Sequence, residues 1–173
     1  MKKAKKFILD HGGIENSQVM TRFKLAMFGQ YEWILNTYIP PFIFRNGFPF
    51  YSYGDIKGYV AQWVYPHLIA LAYLRYHKTV FPVSRVCLQE LRVSRSDQCE
   101  EYYNQNPGLK GFPQTETDAS IDHIMEEMIK INGPRGSFGA YTISTLLILL
   151  SFKDYSLRYG NHTDFAAFYE TNH

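Results

Sequence analysis

Gly12-Gly13 breaks the chain between two stretches whose apolar residues recur at helical spacing, and this punctuation limits what the chain can become. Glycine accepts the left-handed conformation that closes a helix, so Lys2 to His11 reads as a helix stopped by the pair. No capping residue precedes Met1, so this first helix reads as the later turns of a longer element. Asn16 or Ser17 can cap a second helix running to Phe28, which Gly29 ends. Its apolar positions, Val19, Met20, Phe23, Leu25, Ala26, Met27 and Phe28, cover more than one face, which predicts burial.

Pro40, Pro41 and Pro49 exclude a helix interior from the aromatic stretch Tyr31 to Phe50, which reads as a long structured loop with a short helix near Phe42 to Phe44. Ile56 to Arg75 predicts a third helix, kinked or staggered at Pro66. Thr79 to Val83 is a loop, and Cys87 to Pro113 an exposed polar one. Thr117 or Asp118 caps a fourth helix through Lys130, with Ile121, Ile124, Met125, Met128 and Ile129 at three-and-four spacing. A Gly/Pro turn, Asn132 to Gly139, leads to a fifth and most apolar helix, Thr142 to Lys153. The tail from Arg158 is polar and then aromatic.

Strand-like alternation is nearly absent, so the fold class is all-α: helix pairs joined by aromatic, proline-bearing loops, of the kind that stack or close into rings. At 173 residues the chain makes one domain on a prior of about 150 residues each. A net charge of +2 excludes a strongly cationic nucleic-acid binder, so no nucleic-acid partner is expected. Cys87 and Cys99 read as free buried thiols, with a single bridge as the alternative. Phe7-Ile8-Leu9 falls short of the roughly 7 to 15 apolar residues of a signal peptide. The run Leu146 to Leu150 falls short of the roughly 20 residues of a membrane span. A cytoplasmic protein is expected, with peripheral attachment to the inner face of the cell membrane open to it.

The segment Phe7-Ile8-Leu9-Asp10-His11-Gly12-Gly13, followed by Val19-Met20-Thr21-Arg22-Phe23-Lys24-Leu25-Ala26-Met27-Phe28-Gly29-Gln30-Tyr31-Glu32-Trp33, resembles the squalene–hopene cyclase family. Pro40-Pro41, Phe48-Pro49-Phe50, Pro66 and Val80-Phe81-Pro82 continue the same order of landmarks. The likeness is nearest the bacterial branch that includes the tetraprenyl-β-curcumene cyclases. Asn132-Gly133-Pro134-Arg135-Gly136-Ser137-Phe138 resembles a degenerate copy of the family's repeated Gln-x-x-x-Gly-x-Trp motif. The resemblance implies an α/α barrel (α/α toroid), of which residues 1–173 would form a single partial segment. It implies chemistry without a metal or cofactor. A carboxylic acid protonates a terminal alkene of a squalene-like polyprene, and aromatic faces stabilise the resulting cations in a dry cavity.

The family's acid stands in an Asp-x-Asp-Asp motif, which these residues lack: Asp10, Asp55, Asp97, Asp118, Asp122, Asp154 and Asp164 never fall adjacent or one apart. Asp118 and Asp122 read as a cap and a dipole partner at a helix start, where a carboxyl's pKa falls when a protonating acid needs it raised. No catalytic residue is therefore assigned. The chain reads as an internal piece of a cyclase, inactive alone and needing a C-terminal part to act on a polyprene.

Two cavity-wall candidates follow from the resemblance. Tyr59 falls near an active-site aromatic of the family, and Met20 where relatives place an aromatic or Met; a packed core side chain is the competing reading for each. Trp33 matches a structural Trp. The six histidines form no metal-ligand pair at helical spacing, and His67 reads as a core histidine. A reading from another class also stands: a small helical protein that binds an isoprenoid or a partner, motivated by an aromatic share of 17%.

Overall fold

The computed structural model describes residues 2–44, 64–83, 87–93, 118–131, 136–138 and 141–160. Among them stand five α-helices and no β-strand: α1 (Lys2–Asp10), α2 (Val19–Met27), α3 (Tyr65–His77), α4 (Asp118–Lys130) and α5 (Thr142–Tyr159). The chain divides into two compact units, Met1–Ile39 with Arg75–Phe112, and Pro40–Leu74 with Pro113–His173.

In the first unit, two glycines do what their positions predict. Gly12 (φ 91°) closes α1, its N–H bonding to Leu9 O at 3.1 Å while Gly13 N–H reaches Ile8 O at 2.9 Å. Gly29 (φ 73°) repeats the arrangement on α2, its N–H on Ala26 O and that of Gln30 on Leu25 O. This pairing of the last carbonyls needs a left-handed residue, which only Gly adopts without steric cost.

The expected caps of α2 differ. Ser17 Oγ donates to Ile14 O and Asn16 Nδ2 to His11 O, so both side chains serve the preceding turn Ile14–Asn16. Gln18, extended at ψ 148°, opens the helix without a side-chain cap. Nor is α2 buried all round: Phe23, Ala26 and Met27 are buried, Met20 is half-buried and Val19 is exposed.

Around that face the loop Tyr31 to Asn36 folds inward. Trp33 packs edge-on against Phe23, with ring centroids 6.0 Å apart, and its Nε1 donates to Thr79 O at 2.9 Å. Arg75 Nε donates to Asn36 O, and its guanidinium lies 5.6 Å from the centre of the Tyr38 ring. Arg92, buried, donates to Glu15 (3.2 Å) and Glu32 (2.6 Å) and lies over Tyr31. One cation thus holds together three loop segments that have little helix of their own. Cys87 is a free thiol but exposed, contrary to the expected burial, because it stands at the surface just before the turn Gln89–Leu91; Cys99 lies outside the described residues.

In the second unit, α3 begins at Tyr65, and Pro66 occupies its first turn, where a missing N–H costs nothing. Residues 56–63 of the expected helix lie outside the described residues, and with them the expected kink or stagger at Pro66. Ile69 to Leu74 are buried without interruption. His67 is buried, as expected, its ring beside that of Tyr141. Helix α4 buries Ile121, Ile124, Met125 and Met128 and packs on the turn Pro41–Phe44. Helix α5 extends six residues beyond the expected Lys153 to Tyr159, because Asp154 pairs with Arg158 one turn on and Tyr155 is buried. Gly160 (φ 78°) follows it.

Replacing Arg92 tests how the first unit is held. Arg92→Ala leaves Glu15 and Glu32 without their shared cation and is expected to cost roughly 3 kcal/mol, with Arg92→Lys restoring only part. Urea unfolding measures it; a loss below about 1 kcal/mol would place the cluster with ordinary surface ion pairs.

Candidate functional site

Of the segment expected to be a degenerate repeat, residues 136–138 are described, and they stand just before α5. Phe138 is buried and meets Phe152 edge-on at 5.8 Å. Its N–H donates to Thr145 Oγ1 at 3.1 Å, and its carbonyl accepts from Ser144 Oγ. Ser144 Oγ also reaches Tyr141 O at 2.9 Å. The first turn of α5 is thus stapled to the segment before it by two hydroxyls, and an aromatic ring anchors that segment in the core. Asn132, which begins the motif, lies outside the described residues.

Helix α5 is aliphatic on two faces. Ser144, Leu147, Ile148, Ser151, Phe152, Asp154 and Tyr155 face the core. Ile143, Leu146 and Leu149 are about 40% exposed, and Tyr141 just ahead of them is 50% exposed. Beside this stripe lies an open groove of about 490 Å³, lined by Ser137, Tyr141, Thr142, Thr145, Leu146 and Leu149. Its size falls in the range of small-molecule sites. Hydroxyl groups edge one end, at the start of the helix, and leucines line the next two turns. Such a groove can take an apolar chain by contact and dispersion, and the described residues that line it are hydroxyl-bearing or aliphatic, with no carboxylic acid among them.

Phenols and carboxylates fix α5 from behind. Tyr73 OH, on α3, donates to Asp154 Oδ2 at 3.1 Å, and Arg158 Nε donates to the same oxygen at 2.6 Å. Tyr155 OH donates to Asp122 Oδ1 of α4 at 2.7 Å. Asp122, expected as a dipole partner at the helix start, thus serves a tertiary bond. Burial first, and the neighbouring carboxylate second, push the Tyr73 and Tyr155 phenols well above the ordinary tyrosine range. The Asp154 carboxylate holds Arg158 more firmly charged. In the first unit, burial pushes Tyr31 up to about 12, with the Arg22 guanidinium opposing it.

Of the two residues singled out in the sequence, Tyr59 lies outside the described residues. Met20 is half-buried on α2. Tyr141, Leu146 and Leu149 were not among them. Their signal was the unbroken aliphatic run Leu146 to Leu150: a helix with no polar face needs something apolar on both sides. No helix among the described residues is long and apolar enough to cross a membrane.

The described residues thus define an all-α class of protein, with an open, largely apolar groove on the second face of α5. Residues 1–155 match the squalene-hopene cyclase N-terminal domain, and the chain belongs to that family. It is 49% identical over 164 residues to the squalene-tetrahymanol cyclase of Tetrahymena thermophila, covering 92% of this chain and 23% of that protein. It is 34% identical over 87 residues to the squalene–hopene cyclase of Alicyclobacillus acidocaldarius, covering 48% of this chain and 13% of that one. A terpene cyclase–glycosyl transferase fusion protein of Humicola fuscoatra matches at 29% over 84 residues, 48% of this chain and 6% of that protein. The chain thus carries the N-terminal cyclase domain and spans less than a quarter of the length of these relatives.

Alkaline titration checks the buried phenols. Tyr31, Tyr73 and Tyr155 are expected to keep their protons past pH 10.0, the ordinary value, in an ultraviolet difference titration. The native state then binds protons that the unfolded chain has released. Stability is whole below pH 10.0 and falls as the pH rises toward 12, and Tyr31→Phe removes its share of the slope. A fully reversible titration of all tyrosines at the ordinary value, without unfolding, would refute the burial argument.

Proposed function

We propose that residues 1–173 form a single partial α/α barrel segment and supply part of the wall of a polyprene cyclase cavity, with the protonating acid supplied by residues other than these. The observation that carries this reading is the second apolar face of α5, exposed beside the groove at Tyr141. Each fully covered leucine there would contribute about 1.5–3 kcal/mol to holding a hydrocarbon. Family membership supports a squalene-like polyprene as the ligand, since two relatives are named for squalene. In a cyclase the acid adds a proton to a terminal alkene, leaving a carbocation that water would quench. The work of this segment is to fold the chain and keep water away; Tyr59 and Met20 join the wall in the same reading. The protein is cytoplasmic in this reading, with Lys2, Lys3 and exposed Phe7 of α1 offering a peripheral contact to an anionic inner membrane surface.

A second reading has its own observation. The groove is formed wholly within one unit, so binding of an isoprenoid does not require a catalytic complement.

The test is to incubate the purified chain with squalene, alone and mixed with the acid-bearing segment of a related cyclase, and to analyse hydrocarbons by gas chromatography. No cyclised product is expected from the chain alone, and product is expected from the mixture. Leu146→Asp is expected to weaken squalene binding about tenfold or more. Cyclisation by the chain alone would overturn the assignment of the acid elsewhere. Binding without any product in the mixture would favour the second reading, and no binding at all would sink both.

A further inference from the structure

The aliphatic run of α5 raises a problem that burial cannot solve. Leu146, Leu147, Ile148, Leu149 and Leu150 offer nearly the same apolar area whichever way the helix is rolled. Hydrophobic burial is non-directional, so it discriminates poorly between rolls of such a helix. The observed roll buries Leu147 and Ile148 and exposes Ile143, Leu146 and Leu149. Lys153, exposed opposite that buried face, favours this roll, and directional bonds sharpen the choice.

Two hydrogen bonds act in this way. Successive residues of an α-helix are turned by about 100°, so adjacent Asp154 and Tyr155 point in well-separated directions. Asp154 stands at one edge of the buried arc and accepts from Tyr73 of α3; Tyr155 stands past its centre and donates to Asp122 of α4. The two bonds have opposite polarity, one accepting and one donating, and they go to different helices. A roll of one residue in either direction breaks both bonds, turning Asp154 or Tyr155 out of the buried arc and taking from the buried Tyr73 phenol its bond to Asp154. The bonds of Ser144 and Thr145 do not serve this purpose, because they tie α5 to the segment that immediately precedes it. Arg158 lies on α5 itself and moves with Asp154.

We infer that Tyr73 and Asp122 are positioning residues that set the roll of α5 and so select which of its two apolar faces meets a polyprene. The inference rests on the proposed function for the identity of the ligand, though not for the roll itself. Buried polar bonds that specify one arrangement among several of similar burial are the same device by which a single polar residue fixes coiled-coil register.

Cysteine labelling reads the roll directly. In a Cys87→Ser, Cys99→Ser background, Leu146→Cys is expected to react quickly and Leu147→Cys slowly with a water-soluble maleimide. Adding Tyr73→Phe and Asp122→Ala together is expected to bring the two rates closer by roughly tenfold while far-ultraviolet dichroism keeps its helical signal. Should the double change reduce helicity, each single change is read instead, with a smaller convergence expected. Tyr73→Phe keeps the ring in the core, and Asp122 is exposed, so each single variant is mild. An unchanged rate ratio in folded variants overturns the inference. A parallel measurement keeps the two ideas separate: squalene is expected to protect Leu146→Cys, and not Leu147→Cys, in the chain with both bonds intact. Convergence without squalene protection would refute the polyprene reading and leave the positioning role standing; protection without convergence would do the reverse.

Discussion

Helix α5 has to bury one aliphatic face while an equally aliphatic one stays at the surface, and the second unit is organised around that constraint. Its core face buries Leu147, Ile148 and Phe152. Those contacts supply most of the favourable energy and little of the choice of orientation. The choice comes from Asp154 and Tyr155, which are polar, buried and bonded to two different helices. The same helix begins under a staple from Ser144 and Thr145 to Phe138. Polar groups therefore fix both ends of an element whose middle is almost wholly hydrocarbon.

The first unit solves a different problem. Its helices are short and its loops long, so their backbone groups have no regular lattice of partners. Side chains supply some of them, Trp33 to the carbonyl of Thr79 and Arg75 to that of Asn36, while Arg92 joins the carboxylates of two glutamates. Aromatic rings cover these polar contacts, with Phe23 against Trp33 and Tyr31 beneath Arg92. The high share of tyrosine and phenylalanine is thereby accounted for in part by structure, since a ring can shield a guanidinium and still offer an edge to another ring. An aromatic excess is consequently weaker evidence for a small isoprenoid-binding protein than composition alone suggested.

Much of the helical layout was legible because its signals are local. Gly12 and Gly29 close helices where a left-handed residue is needed, and the spacing of Ile121, Ile124, Met125 and Met128 placed α4 and its buried face. Ends that depend on tertiary partners were read less well. Asn16 and Ser17 carry good cap chemistry, yet their oxygens and nitrogens serve the turn before α2. Helix α5 runs past Lys153 because Tyr155 and Asp154 find partners on other helices, a fact invisible in the sequence around them. Family landmarks suggested Tyr59 and Met20 for the cavity wall, a reading that the groove beside Tyr141 and Leu146 does not test. No local pattern marked that groove, because a run of leucines looks the same whether it faces protein or ligand.

The sequence by itself determined the all-α class, the order of the helices, the family and the lack of a paired-aspartate acid within these residues. Each depends on residue identity and short-range spacing, which the unfolded chain already possesses. Tertiary structure alone decided which side of α5 is covered, which carboxylate each buried tyrosine meets and that Arg92 is the centre of the first unit. Those outcomes join residues from about 30 to about 80 positions apart. Their energies exist only once distant segments have met and excluded water, so no local pattern encodes them.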